Sequence, residues 1–134
     1  MPQAKPLISI VDDDQSMREA VRGLMKSVGY RAEAFASAEE FLTSRQVSRT
    51  SCLIADVMMP GMTGPELHRH LVASGRTIPT ILITAHADDS VRERAFANGI
   101  IGYLSKPFSD EDLLACIRSS LTTDPAQKQA PNRV

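Results

Sequence analysis

Five short apolar runs alternate with stretches whose apolar residues recur at a helical period, and this alternation constrains the fold more than any other feature of the chain. The runs are Leu7–Val11, Tyr30–Phe35, Cys52–Ala55, Thr80–Thr84 and Ile100–Leu104. Met17, Val21, Leu24, Met25 and Val28 trace one face of a first helix. Phe41 and Leu42 anchor a shorter second helix, and Leu67 and Leu71 a third. Val91, Ala95 and Asn98 mark a fourth, poor in large apolar side chains, and Leu113, Leu114, Ile117 and Leu121 mark a fifth. Strands alternating with helices predict a parallel sheet covered on both faces. Runs one, three and four are nearly continuous apolar, as strands buried on both faces are. Run two carries Arg31 and Glu33, and run five carries Gly102 and Tyr103, which suits sheet edges. The expected architecture is α/β, a doubly wound (βα)₅ flavodoxin-like sandwich whose five parallel strands are ordered 2-1-3-4-5. In that order ligands bind at the carboxyl ends of strands 1 and 3, where the winding reverses.

The punctuation agrees with this reading. Gly29, Gly75 and Gly99 each follow a periodic run, where a helix wants a left-handed terminating residue. Ser37 with Glu40 forms a capping-box pattern, and Ser109 followed by Asp110, Glu111 and Asp112 opens the last helix with a cap and three carboxylates at its positive end. Residues 5–121 are expected to form one domain, and 122–134, with Pro, Gln and Asn, a disordered C-terminal tail.

Composition narrows the partners. Lys plus Arg number 15 against 16 for Asp plus Glu, a net charge of −1, which argues against direct nucleic-acid binding. No run approaches the ~18 apolar residues of a membrane span, and the opening MPQAKP is not a secretory leader, so a cytoplasmic location is expected. Cys52 and Cys116 show no metal-binding spacing and sit in apolar runs, so both are expected as buried free thiols. His68 and His70, two apart on the third helix, cannot share a helix face and are expected on solvated surface.

Chemistry gathers at the carboxyl ends of the strands. Asp12, Asp13 and Asp14 follow strand 1, Asp56 follows strand 3, Thr84 ends strand 4, and Lys106-Pro107 follows strand 5. Two unit charges about 4 Å apart repel by about 4 kcal/mol at an effective dielectric of 20, so clustered carboxylates stay ionised only beside cations. An open, all-oxygen site of few carboxylates suits Mg²⁺, Lys106 supplies a compact positive charge, and Thr84 supplies a hydroxyl. A metal, an ammonium and a hydroxyl around one carboxylate constitute a phosphoryl-transfer site, with the carboxylate as nucleophile.

Val11-Asp12-Asp13, the segment from Asp56 through Met58-Met59-Pro60-Gly61-Met62-Thr63 to Gly64, Thr84-Ala85 and Lys106-Pro107-Phe108 together resemble the receiver domain of two-component response regulators. Ser37–Leu42 and Ile83-Thr84-Ala85-His86 further resemble receivers of FixJ-type transcriptional regulators. The resemblance implies that Asp56 is the phosphoacceptor and that Asp12 and Asp13 hold Mg²⁺, with Asp56 and the backbone carbonyl of Met58 completing the protein ligands. It implies Thr84 as the switch hydroxyl, Lys106 as the partner of a phosphoryl oxygen, Tyr103 as the switch aromatic that turns inward behind Thr84, and a cis peptide before Pro107. The resemblance also implies that Met58 and His86, two residues beyond Asp56 and Thr84, influence how water reaches the phosphoryl group.

The partners so implied are a histidine kinase or phosphotransfer protein, a downstream output protein or domain, and a second copy meeting this one through helix 4, strand 5 and helix 5 on phosphorylation. The charged fourth helix (Asp88, Asp89, Arg92, Glu93, Arg94) belongs to that face. The expected role is a signalling switch, not an enzyme with an outside substrate. Two alternatives exist: a small haloacid-dehalogenase-like phosphatase with Asp12 as nucleophile and Asp14 as general acid, or a fragment of a longer DNA-binding regulator. The first lacks the acidic pair expected on a strand end after the lysine. Asp14 also reads simply as a carboxylate at a helix N-terminus.

Overall fold

The computed structural model describes residues 5–122. Strands β1 (Leu7–Val11), β2 (Arg31–Phe35), β3 (Cys52–Asp56), β4 (Thr80–Thr84) and β5 (Gly102–Ser105) alternate with helices α1 (Gln15–Ser27), α2 (Ala38–Leu42), α3 (Gly64–Ala73), α4 (Asp89–Ala97) and α5 (Asp110–Thr122). The strands form one parallel sheet in the order β2-β1-β3-β4-β5. The doubly wound α/β architecture expected from the sequence is the observed one, and β1, β3 and β4 are buried along their whole length.

Alternate residues of the central strands feed opposite faces, as the two-residue period of a strand requires. Ile8, Ile10, Ile54, Ile81 and Ile83 pack with Val21 and Met25 of α1 and Leu113 and Ile117 of α5. Val11, Leu53, Ala55 and Leu82 pack with Phe41 of α2, Leu67 and Leu71 of α3 and Ala95 of α4. Each of the Val, Leu, Ile, Met and Phe side chains among them contributes about 1.5–3 kcal/mol on full burial. The Phe35 and Phe41 rings meet edge to face, centroids 5.3 Å apart, fixing α2 against the end of β2.

The helix starts are capped as their sequences suggest. Asp14 accepts from the N–H groups of Ser16 and Met17, Ser37 Oγ from Glu40 N–H, and Ser109 Oγ from Asp112 N–H. Thr63 and Glu66 add a reciprocal capping box at α3 that the sequence reading did not single out. Gly29, Gly75 and Gly99 have positive φ.

Several local expectations need correction. Val28 and Asn98 are exposed C-caps instead of core-facing helical residues, because each helix has already ended there. β5 begins at Gly102, not Ile100, whose N–H closes the end of α4 by bonding to Ala95 O. Cys116 is half-buried; only Cys52 lies fully inside, and both are free cysteines. His68 is buried while His70 is exposed: the 68 position falls beside Leu67 and Leu71 on the inner face of α3. A 3₁₀ turn, Val47–Arg49, adds to the α2–β3 connection. The expected tail lies outside the described residues, apart from Thr122 at the end of α5. Among the described residues no helix is long and apolar enough to cross a membrane.

Candidate functional site

The parallel sheet sets the carboxyl ends of β1, β3, β4 and β5 along one edge, and the site is built there. Asp12 follows β1 directly and is fully buried, and Asp56, the last residue of β3, is nearly so. Lys106, just past β5, donates from Nζ to Asp12 Oδ2 at 3.1 Å and to Asp56 Oδ2 at 2.9 Å. Three residues far apart in sequence are thereby joined by one ammonium. The remaining carboxylate oxygens are also satisfied: Asp12 Oδ1 accepts from Asp14 N–H at 2.9 Å, and Asp56 Oδ1 from Met58 N–H at 3.0 Å. The Arg18 guanidinium donates to the Asp12 backbone carbonyl at 2.9 Å, tying the first turn of α1 to the site.

The electrostatics follow from this crowding. Burial raises the Asp12 carboxyl above the ordinary 3.8, helped by the charge of Asp56 and opposed by the Asp14 N–H and by Lys106. Burial alone draws the Lys106 ammonium down, but the hydrogen bonds and charges of Asp56 and Asp12 outweigh it, so the group is held above 10.5 and stays charged. One cation thus serves two carboxylates, and Asp13 adds a third at the rim.

Oxygen atoms of Asp12, Asp13 and Asp56 lie within 4.8 Å of one another. Asp13 is exposed, and its side chain makes no hydrogen bond or ion pair among the described residues. A half-open set of hard carboxylate oxygens fits a divalent cation such as Mg²⁺. The backbone carbonyl of Met58 belongs to the loop directly after Asp56.

That loop is held from two sides. Gly64, at the start of α3, packs against the backbone of Asp56: a Cβ there would collide with the Asp56 carbonyl oxygen and lie 3.0 Å from its carbonyl carbon. Gly61 takes a φ of 77°, and Glu39 of α2 accepts from Met62 N–H at 3.2 Å. Neither Glu39 nor Arg18 was anticipated. Glu39 reaches the loop from α2, remote in sequence from the strand-end motifs, whereas Arg18 folds back from the first turn of α1, six residues beyond Asp12.

Thr84, fully buried, accepts at Oγ1 from His86 N–H at 3.1 Å, and its carbonyl accepts from Lys106 N–H at 2.7 Å. The Lys106–Pro107 peptide is cis. Tyr103 is half-buried, and its hydroxyl accepts from Asp88 N–H at the start of α4. Met58 and His86 are both exposed. Asp14 is engaged in capping α1 and takes no part in the Asp12, Asp13 and Asp56 group. The phosphatase alternative, which needs Asp14 as general acid, is accordingly disfavoured.

Comparisons with known proteins agree with the geometry. The family model described as "Response regulator receiver domain" matches residues 8–118. The response regulator protein TmoT of Ectopseudomonas mendocina is 40% identical over 129 residues, covering 96% of this chain and 59% of that protein. The transcriptional regulatory protein FixJ of Azorhizobium caulinodans is 35% identical over 121 residues, covering 90% of this chain and 57% of that protein. The solved structure of the response regulator StyR superposes with a TM-score of 0.84 at 41% identity, covering 97% of this chain and 66% of that one. The chain thus spans less than two thirds of the length of these relatives. With its sheet order, its aspartates joined by Lys106 and this match across nearly all of the described residues, the chain belongs to the receiver domain family of the response regulators, FixJ among its relatives.

Proposed function

We propose that Asp56 accepts a phosphoryl group from a phosphohistidine, supplied by a histidine kinase or phosphotransfer protein. The reading is carried by one observation: Lys106 Nζ bridges Asp12 Oδ2 and Asp56 Oδ2, from three separate strand ends. A carboxylate oxygen of Asp56 attacks phosphorus and a P–O bond forms. The P–N bond breaks, and the donor imidazole leaves with the electron pair and takes up a proton. Asp12, Asp13, Asp56 and the Met58 carbonyl would hold Mg²⁺, which when bound would supply charge neutralisation for the transferring group. Lys106 exchanges its hold on the Asp56 carboxylate for a phosphoryl oxygen. Thr84 gives up the His86 N–H and turns its hydroxyl toward the same group, and Tyr103 follows into the space behind it. The surface of α4, β5 and α5 carries the change to an output protein or domain, or to a second copy of the chain. Met58 and His86 flank the path by which water reaches the phosphoryl group and so set its lifetime. The domain acts in the cytoplasm as a switch that assists only its own phosphorylation and hydrolysis.

Intact-mass measurement after incubation with Mg²⁺ and acetyl phosphate tests this directly on the wild type, Asp56→Asn and Asp12→Asn. One labile phosphoryl group is expected on the wild type and none on Asp56→Asn. Labelling that survives Asp56→Asn and disappears in Asp12→Asn would transfer the nucleophile to Asp12 and overturn the reading.

A further inference from the structure

At the sheet edge opposite the aspartates, where β4 and β5 begin, a cavity of about 300 Å³ opens between the end of α3, the α4–β5 turn and the end of α5. Leu71, Ile78 and Ile101 supply apolar wall, and His68, Arg76 and Asn98 supply polar groups. His68 is only 7% exposed, yet its imidazole makes no hydrogen bond to any described residue. Buried polar groups in folded proteins are nearly always paired, so a ring left unpaired beside a cavity marks a place where something else can supply the partner.

The charges around it are one-sided. Among the described residues, Arg76 makes no ion pair and no Asp or Glu lines the cavity. Burial, and secondarily the charge of Arg69, hold His68 below the usual histidine value, so at neutral pH the ring is uncharged and offers one N–H and one lone pair. A guanidinium, a neutral imidazole and a carboxamide among the residues lining an apolar-walled cavity complement a ligand with a planar anionic head and a small apolar body. A bare inorganic anion would satisfy the head groups and leave Leu71, Ile78 and Ile101 wet.

We propose that this cavity binds a small organic monocarboxylate, its head on Arg76 and His68 and its apolar body against Leu71, Ile78 and Ile101. An occupant touches α4 as well. Gly99, which ends that helix, faces the His68 ring closely enough that a Cβ there would lie 3.9 Å from Cε1.

The test uses benzoate and hexanoate as probes, with benzamide as the uncharged control, titrated to about 20 mM into ¹⁵N-labelled protein, a range that captures millimolar binding. Saturable amide shifts are expected at His68, Arg76, Gly99 and Ser120, with benzamide at least about tenfold weaker because it lacks the charged head. Arg76→Gln changes an exposed side chain and should fold normally. It is expected to weaken benzoate by about tenfold while acetyl phosphate labelling of Asp56 stays at the wild-type level. His68→Leu removes the ring polarity without opening the wall and should also weaken the carboxylates. Absence of saturable shifts at these amides, equal binding of benzamide, or full binding by Arg76→Gln would overturn the proposal.

Discussion

The hydroxyl of Tyr103 accepts a hydrogen bond from the backbone N–H of Asp88 at 3.3 Å, so a side chain of β5 is tied to the N-cap residue of α4. Asp88 itself caps the helix by accepting from the N–H groups of Ser90 and Val91. Any inward turn of the Tyr103 ring therefore releases the start of α4. Tyr103→Phe should cost about 0.5–1.5 kcal/mol of stability, the usual net worth of one hydrogen bond, and should speed amide exchange at Asp88. Phosphorylation of the wild type should produce the same acceleration at Asp88. Unaltered exchange in both cases would separate Tyr103 from the switch.

The shared ammonium leads to a second expectation. Holding the Asp12 carboxyl above its ordinary 3.8 means that ionising it at neutral pH opposes folding. Asp12→Asn should therefore stabilise the metal-free protein. Mg²⁺ should raise the urea midpoint of the wild type, in proportion to the logarithm of its concentration once the site saturates, and do so much less for Asp12→Asn. Urea unfolding with and without Mg²⁺ measures both.

Gly64→Ala should be among the most disruptive small substitutions in the chain. The added Cβ meets backbone atoms of Asp56, which cannot swing aside as a flexible side chain would. A loss of about 2 kcal/mol or more is expected from overpacking, together with slower labelling by acetyl phosphate, because the shift falls on Asp56, the proposed phosphoacceptor. Denaturant midpoints and labelling rates would show whether the two effects travel together.

Stability should fall in mild acid through His68. Its folded pKa is depressed below 6.5, first by burial and then by Arg69, so the folded state favours the neutral ring while the unfolded chain takes up a proton. The contribution is complete above 6.5 and is lost as pH drops below it toward the folded value. The difference in melting temperature between wild type and His68→Leu should thus shift against the wild type between pH 7.5 and pH 5.5, both within about one unit of the ordinary histidine value. A constant difference would mean that His68 titrates alike in both states.

The strand-end residues were legible because a parallel sheet turns sequence order into spatial order. Once β1, β3, β4 and β5 are placed, Asp12, Asp56, Thr84 and Lys106 have to meet on one edge. Glu39 and Arg18 were not legible, for a definite reason. Glu39 is an exposed helical carboxylate 23 residues from Met62, and its pairing depends on how α2 leans over the β3–α3 loop. His68 illustrates a signal that was present and misweighted. Its position next to Leu67 and three before Leu71 places it on the apolar stripe, and that spacing outweighs the polarity of the imidazole.

The helices are fastened to the sheet unequally. α3 buries four residues, whereas α4 buries Ala95 alone. Free energy of local opening tracks buried contact, so among the α-helices α4 is the cheapest to displace while the frame around Asp56 stays intact. A perturbation of a few kcal/mol at one edge of the sheet can then shift the population of a single panel of the surface without loosening the rest, so the thinness of one helix's anchorage makes the molecule responsive.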